Sequence, residues 1–223
     1  ARARVGGPAM NYTERYALSR GGSMRSARVV VPLLCRIIEP RSVVDVGCGH
    51  GWWLSVFREQ GCQVFGVDGA HVDPARLVIE RRDFAPADLT RADVLGAYDL
   101  ATSFEVAEHL PASAARRFVA TLCGLAPVVA FSAAMPHQGG VNHVNEQWPR
   151  YWWDLFAERG YRGTGALRWS LWGNAEVEHW YQQAFLYARE DAIEANPHLR
   201  AYMESPLAPP WPVVHPVLWE SRQ

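Results

Sequence analysis

One segment organises this chain: Ser42-Val43-Val44-Asp45-Val46-Gly47-Cys48-Gly49-His50-Gly51-Trp52-Trp53. An apolar run ends in an acid and three glycines at alternate positions, and a helical pattern then begins. A buried strand that passes into a ligand-binding loop has this form, because glycines allow positive φ and let backbone N–H groups approach a ligand closely. The segment therefore predicts a strand, a binding loop and a helix, in that order.

Strand and helix patterns alternate after this segment. Strands are predicted at residues 43–47, 63–68, 82–87, 98–104 and 128–132, and less regular ones at 166–171 and 181–188. Helices are predicted at residues 52–60, 74–80 and 112–125. Strands that alternate with helices across short links form a parallel sheet covered on both faces. The predicted fold class is α/β, a Rossmann-like, doubly wound, mostly parallel seven-stranded sheet flanked by helices.

Helices are also predicted at both ends of the chain. Residues 11–20 have helical spacing that Gly21-Gly22-Ser23 should break, and a second helix is expected over 26–38, with Pro32 in its first turn or at a kink. Beyond the fifth strand, helices are predicted at 146–159 and 191–203.

Composition excludes several classes of protein. The four cysteines lie far apart without a CxxC pair, which favours reduced, mostly buried thiols over a metal site or disulfides. A net charge of −1 without a basic block argues against nucleic acid as a partner. The chain has no lysine, so a Schiff-base mechanism is excluded. The absence of a membrane-spanning apolar run and of a signal-peptide pattern predicts a cytoplasmic protein without a membrane partner.

Acids follow the predicted strands at regular intervals. In an open parallel sheet the ligand lies at the carboxyl ends of the strands. Asp68 comes about twenty residues after the glycine loop, where an acid accepts the hydroxyl hydrogens of a ribose. Asp88 follows the third strand, within reach of an adenine amino group, and Glu105 follows the fourth.

The glycine spacing discriminates between two ligands. A dinucleotide fold uses G-x-G-x-x-G to seat a pyrophosphate, and this loop has no third glycine at that spacing. Asp45 is better suited to the ammonium and sulfonium groups of S-adenosylmethionine than to phosphates. A nucleotide-dependent oxidoreductase therefore remains the less favoured enzyme class.

Four segments resemble the motifs of class I S-adenosylmethionine-dependent methyltransferases. They are Asp45-Val46-Gly47-Cys48-Gly49-His50-Gly51, Gly66-Val67-Asp68-Gly69, Ala87-Asp88-Leu89, and Tyr98-Asp99-Leu100 through Glu105-Val106-Ala107-Glu108-His109-Leu110-Pro111. The resemblance covers roughly residues 40–190 and departs from the usual loop at His50, where Thr or Ser is commonest. It implies that the glycine loop contacts the methionine half of the cofactor, Asp68 the ribose, and Asp88 and Leu89 the adenine. The expected cofactor-binding residues are Asp45, Gly47, Gly49, Gly51, Asp68, Gly69, Asp88, Leu89, Phe104 and Glu105.

Two histidines are the candidate catalytic bases, His109 and His143. With Glu105 and Glu108 they offer two carboxylates and two imidazoles to a divalent cation. This pattern is similar to the metal-binding segment of small-RNA 2′-O-methyltransferases and to the corresponding stretch of ubiquinone-pathway O-methyltransferases. Many relatives with the same segment work without metal, so a metal is possible but is not the favoured prediction.

The resemblance implies methyl transfer from S-adenosylmethionine, with S-adenosylhomocysteine as product. The expected acceptor is an O or N atom of a small natural-product or sugar intermediate in a bacterial pathway, bound in the tryptophan-rich half of the chain. Three alternatives stay open: a metal-dependent O-methyltransferase, an RNA acceptor as a remote case, and a non-catalytic, cofactor-binding regulator. A single domain is expected, as a monomer or homodimer. Residues 1–40 are expected to form an N-terminal lid or helices that carry Tyr12 and Tyr16. Residues 41–132 would form the cofactor-binding core, and residues 133–223 the acceptor-side segment and C-terminal tail.

Overall fold

A computed structural model describes residues 12–91, 94, 96–206 and 210–220, with side chains described from residue 22 onward. Its strands are β1 (Ser42–Val46), β2 (Gln63–Asp68), β3 (Phe84–Pro86), β4 (Leu100–Phe104), β5 (Val128–Ser132), β6 (Tyr161–Thr164) and β7 (Phe185–Arg189). Its α-helices are α1 (Tyr12–Ile38), α2 (Trp52–Glu59), α3 (Ala112–Leu125), α4 (Pro149–Ala157), α5 (Ala166–Leu171), α6 (Glu190–Ala195), α7 (Pro197–Met203) and α8 (Pro216–Glu220). Short 3-10 turns occur at Pro74–Arg76, Arg81–Asp83, Ala107–His109 and Tyr181–Gln183.

The strands form one seven-stranded sheet in the order β3-β2-β1-β4-β5-β7-β6. The first five strands of the chain are parallel, and β7 is antiparallel to both β5 and β6. The direction of the strand order reverses between β1 and β4, which opens a crevice beyond the carboxyl ends of these strands. The predicted fold class is confirmed.

Each face of the sheet has its own apolar core. Helices α1 and α2 pack on one face, where Leu34, Leu54 and Phe57 are completely buried. Helices α3 and α4 cover the other face, around Phe118 and Phe156. Because the central strands are covered on both sides, β4 and β5 are buried at every residue, as is typical of a parallel sheet.

The N-terminal glycines do not break a helix, contrary to the sequence prediction. Helix α1 continues through Gly21, Gly22 and Ser23, which also places Pro32 inside the helix rather than in its first turn. A Cβ atom on Gly22 would lie 2.6 Å from Glu178 Oε1, so the missing side chain allows that residue to approach the helix. A tertiary contact has outweighed the low helix propensity of glycine.

The predictions for the C-terminal half were wrong at two strands. Residues 166–171 are helix α5, and the strand precedes them as β6. Residues 181–183 form a 3-10 turn, so β7 starts later than predicted. The long 191–203 helix is divided at Asn196, whose side chain caps α7 by accepting from the N–H groups of His198 and Leu199.

Several predicted elements are shorter than expected. The 74–80 helix is reduced to the turn Pro74–Arg76, and residues 82 and 83 belong to a turn instead of β3. Helix α4 begins at Pro149, a residue that favours the first turn because it has no N–H to leave unpaired. Among the described residues, no helix is both long and apolar enough to cross a membrane.

Candidate active site

A cavity of about 990 Å³ opens at the carboxyl ends of β1, β2 and β4. Its volume falls in the range of small-molecule sites. The cavity is lined by nine of the predicted cofactor residues, namely Asp45, Gly47, Gly49, Asp68, Gly69, Asp88, Leu89, Phe104 and Glu105. Gly51 does not line it; its φ of 85° starts α2, and a Cβ there would lie 2.9 Å from Ile79 Cγ1.

The glycine loop is held against the end of β2. Gly47 has φ of 90°, and a Cβ there would lie only 2.2 Å from Val106 Cγ2. Both the dihedral angle and the close approach therefore require glycine. The N–H of Gly47 donates to the Val67 carbonyl at 2.7 Å, which fixes the turn as it leaves β1.

Asp68 ties the same loop with its carboxylate. Its Oδ2 accepts from the N–H of Gly49 and its Oδ1 from the N–H of Gly69, each at 2.6 Å. The side chain is buried except for a small exposed fraction at the cavity wall. Because a carboxylate has about four acceptor positions, the bonds from Gly49 in the glycine loop and from Gly69 after β2 leave capacity for a ligand hydroxyl.

Asp45 is a buried acid without a basic partner among the described residues. It pairs with Gly66 on β2 and Thr102 on β4, so it lies at the centre of the sheet. Thr102 Oγ1 donates to Asp45 Oδ1 at 2.7 Å. Burial, aided by the nearby charge of Asp68, raises the pKa of Asp45 to about 7, although the Thr102 hydrogen bond opposes this. A bound cation would favour its ionised form.

The acids after the next two strands differ in their surroundings. Asp88 is exposed, and its Oδ1 accepts from the N–H and hydroxyl of Thr90, which lowers its pKa. Glu105 has φ of 57°, an unusual conformation for a side-chain-bearing residue. It accepts from Ser132 Oγ at 2.8 Å and from Gln138 Nε2 at 2.6 Å, and burial raises its pKa to about 7.

The two predicted bases lie next to each other. The rings of His109 and His143 are nearly perpendicular, with centroids 4.9 Å apart. His109 lines the cavity; desolvation and the neighbouring His143 lower its pKa. His143 does not line the cavity, and its Nδ1 lies 3.0 Å from Glu146 Oε1.

Glu108 completes a cluster with these histidines. It is fully buried, and within the described chain neither carboxyl oxygen accepts a hydrogen bond. Burial, followed by the charge of Glu105, raises its pKa well above the usual value. One ligand atom each from Glu108, His109 and His143 lie within 4.8 Å of one another, close enough to hold a metal ion. Glu105, the fourth ligand of the predicted set, is not part of this group and bonds to Ser132 and Gln138 instead.

Of the aromatic wall of the cavity, the sequence predicted Phe104 as a cofactor residue and missed Trp53 and Tyr181. Trp53 and Phe104 lie 4.6 Å apart between ring centroids, and Tyr181 contacts both. The Tyr181 hydroxyl is 2.9 Å from Ser23 Oγ on α1. No local pattern could reveal this contact, because the two residues are 158 positions apart in sequence and the expected break at Gly21-Gly22-Ser23 hid the helix that carries Ser23.

The expected tryptophan-rich acceptor pocket is not part of this cavity as described. Its lining tryptophans are Trp52 and Trp53, from the cofactor-side half. The lid prediction for Tyr12 and Tyr16 concerns side chains outside the described part of the structure.

Comparisons with known proteins agree with this geometry. A family model described as a methyltransferase domain matches residues 20–182. Ubiquinone biosynthesis O-methyltransferase from Acinetobacter baylyi is 32% identical over 80 residues, which make up 32% of this chain and 34% of that protein. The match therefore spans about a third of the curated relative's length.

Two solved structures are similar in fold. One is a SAM-dependent methyltransferase from Archaeoglobus fulgidus, with a TM-score of 0.57 and 16% identity over 68% of this chain and 75% of that one. The other is magnesium protoporphyrin IX methyltransferase from Synechocystis PCC 6803 with bound SAM, with a TM-score of 0.56 and 19% identity over 84% of this chain and 88% of that one.

Proposed function

Because the chain belongs to the class I S-adenosylmethionine-dependent methyltransferase family, as predicted, we propose that it transfers the cofactor's methyl group to an oxygen or nitrogen of a small molecule. The observation that carries this proposal is the charge of the cavity. Its described lining includes Asp45, Asp68, Asp88 and Glu105 and no arginine. An acidic wall suits a ligand with ammonium and sulfonium groups and repels a pyrophosphate, which disfavours the dinucleotide alternative.

The geometry suggests a role for each side of the cavity. Asp45 and the glycine loop would bind the methionine half of the cofactor, and Asp68 would accept from the ribose. The exposed Asp88 and buried Leu89 would flank the adenine at the outer end. The methyl group would then point toward the wall formed by Glu105 and His109.

His109 is the better-placed catalytic base of the two histidines. It lines the cavity, and its lowered pKa keeps the imidazole neutral at pH 7 and able to accept a proton from an acceptor hydroxyl. His143 would act on His109 as a positioning residue, since its ring packs against that of His109 and its Nδ1 is bound by Glu146.

Calorimetry with S-adenosylhomocysteine and with NAD⁺ tests the cofactor. We expect binding of the first alone, and an Asp68→Ala variant should weaken it about 100-fold, because both the loop and the ribose contact are lost. Asp154→Ala is the matched control, since Asp154 is an exposed acid paired with Arg150. Tight binding of NAD⁺ would overturn the proposal.

Turnover separates the enzyme from a regulator. Methyl-labelled S-adenosylmethionine would be incubated with a panel of small phenols and amines, and label in the small-molecule fraction is the expected result. Loss of this label in His109→Gln, with cofactor affinity unchanged, would support the base. Cofactor binding without transfer to any acceptor would favour the regulatory alternative.

Metal-assisted O-methyl transfer is a second candidate, favoured by the cluster of Glu108, His109 and His143. A fully buried carboxyl group without hydrogen bonds is suited to a divalent cation, which would displace the proton of Glu108 and polarise an acceptor oxygen. Together the three side chains offer the mixed oxygen and nitrogen donors that such ions accept.

Binding of Co²⁺, read by its visible absorption, tests the cluster without relying on activity. We expect one site in the chelator-treated protein and none in Glu108→Gln, with Glu158→Gln, an exposed acid, as control. If Co²⁺ does not bind and methyl transfer survives chelation, the metal candidate fails while the methyltransferase proposal stands.

A further inference from the structure

A second, smaller cavity lies beside the first at the same edge of the sheet. Its lining includes Ser132 at the end of β5 and Phe185 at the start of β7, two strands that pair in antiparallel register. Arg168 of α5 also lines it. This is the carboxyl edge of β5, next to the strand end that carries Glu105.

Arg168 is a buried cation without an acidic partner. It is 1% exposed, and its Nη1 donates to the Trp211 carbonyl at 2.8 Å. Its guanidinium carbon lies 4.4 Å from the centroid of the Phe185 ring. Within the described chain, Nε and Nη2 have no hydrogen-bond partner and no carboxylate forms an ion pair with this side chain. Burial lowers its pKa to about 10, which leaves it charged at neutral pH.

Other unpaired polar atoms belong to the same cavity. Trp152 Nε1, the Tyr187 hydroxyl and Gln183 Oε1 are buried, and none has a hydrogen-bond partner among the described residues. Burial raises the pKa of Tyr187, so its hydroxyl keeps its proton. Buried polar groups are nearly always paired, and a buried charge is especially unfavourable alone. Gln183 Oε1 is an acceptor, but the Trp152 N–H and the Tyr187 hydroxyl are donors, and together with the positive charge of Arg168 they are complementary to an anion.

The free edge of the guanidinium identifies the kind of anion. Nε and Nη2 lie on the same side of the planar group and point their hydrogens in parallel. This edge forms the side-on, two-bond contact with a carboxylate or a phosphate, and the small size of the cavity favours the carboxylate. The remaining nitrogen, Nη1, already binds the Trp211 carbonyl, which fixes the plane of the group.

The cavity shares a wall with the cofactor cavity. Ser132 lines the smaller cavity and donates to Glu105, which lines the larger one. Gln183 Nε2 donates to Gln138 Oε1 at 3.2 Å, and Gln138 in turn donates to Glu105. These side chains separate the two cavities, so an acceptor whose reactive atom lies near Glu105 would reach Arg168 only when Ser132 or Gln138 moves aside.

We propose that Arg168 binds a carboxylate of the methyl acceptor, so that the acceptor is a small acid with a separate hydroxyl or amino group that receives the methyl. This inference rests on the proposed function. The smaller cavity has a volume of about 10 Å³, which matches one water-sized group. It must widen when a carboxylate enters, and Met135 in its lining is unbranched and adapts readily.

Formate and its neutral isostere formamide test the site by thermal unfolding. We expect formate to raise the melting temperature of the wild type, whereas formamide at the same concentration does not. In Arg168→Met the formate effect should disappear, and without formate the variant should melt about 2–4 °C higher than the wild type, because an unpaired buried charge has been removed. Arg150→Met removes the same charge from the exposed face of α4 and should respond like the wild type.

A second variant keeps the test valid if Arg168→Met does not fold. Tyr187→Phe removes one unpaired hydroxyl and preserves the ring, and it should weaken the formate response several-fold. An equal response to formate in the wild type, in Arg168→Met and in Tyr187→Phe would overturn the inference, as would an equal effect of formamide.

Turnover distinguishes the inference from the function on which it rests. Hydroxybenzoic acids and their neutral methyl esters would be compared as acceptors, with an expected preference of at least tenfold for the acids that Arg168→Lys reduces. If methyl transfer occurs without such a preference and formate has no effect, the inference about Arg168 fails and the proposed function stands. If formate binding depends on Arg168 but no acceptor is methylated, the proposed function fails and the anion site at Arg168 stands.

Discussion

The buried charged groups of the cofactor cavity and of the smaller cavity are paired differently. In the first, Asp68 accepts from the backbone N–H groups of Gly49 and Gly69, and Asp45 accepts from Thr102. In the second, Arg168 is buried with two nitrogen atoms, Nε and Nη2, that have no hydrogen-bond partner among the described residues. The acids of the cofactor cavity are thus held in place by the protein, whereas Arg168 retains donors that a ligand could pair.

Gly47→Ala should have the largest effect. The added Cβ would meet Val106 in a loop with φ of 90°, so we expect a loss of several kcal/mol in unfolding free energy and about a 100-fold loss in S-adenosylhomocysteine affinity. Calorimetry and urea unfolding measure both quantities.

Gly61→Ala is its matched control. Gly61 also has φ of 90°, but a Cβ there would meet nothing within 4 Å. We expect a loss of about 1 kcal/mol in stability and unchanged affinity. If the two variants lose equal stability and affinity, the loop is not preorganised by the Val106 contact.

Asp45→Asn tests whether the buried acid is kept for a cation. A folded-state pKa raised to about 7 means that the folded protein binds more protons than the unfolded chain between about pH 4 and pH 7. The stability that Asp45 contributes is complete below pH 4 and is lost as the pH rises through 7. Relative to the wild type, the variant should gain stability over this window, by on the order of 4 kcal/mol at most.

Unfolding by urea at pH 4 and pH 8 measures this gain, and calorimetry should show cofactor affinity lower by about tenfold in the variant. Asp99→Asn is the control. Asp99 directly precedes β4, accepts from the N–H of Ser42 and does not line the cavity, so this variant should leave cofactor affinity unchanged. A pH-independent stability difference for Asp45→Asn would show that Asp45 titrates normally.

Asp88→Asn should have the smallest effect. Asp88 is exposed and already accepts two bonds from Thr90, which an amide oxygen can also accept. We expect a change in cofactor affinity of about twofold and no measurable change in stability. A tenfold loss in calorimetry would indicate that the carboxylate charge itself contacts the adenine.

The sequence was most informative where strands are parallel and loops are short. Asp45, Asp68, Asp88 and Glu105 could be placed in one cavity because each follows a strand, and parallel strands end at one edge of the sheet. The proposed roles of these residues stay predictions, as do the single-domain organisation, the cytoplasmic location and the oligomeric state.

The acceptor side was less predictable because its contacts are long-range. Arg168 lies in a segment whose pattern suggested a strand, although the structure has a helix there. Its neighbours Trp152, Gln183 and Trp211 come from three separate segments of the chain, so no spacing along the sequence brings them together. The donor pattern of Glu105, Glu108 and His109 with His143 did predict a possible metal set, but the structure groups only Glu108, His109 and His143 within the described chain.

The position of β7 has a consequence for synthesis on the ribosome. Strand β6 leaves the ribosome first but pairs only with β7, and β7 is also the strand that covers the edge of β5. Until residues 185–189 have emerged, the nascent sheet has an open edge at β5 and β6 has no partner. Open strand edges promote aggregation, so a nascent chain arrested before β7 should be held by chaperones far longer than one arrested after it.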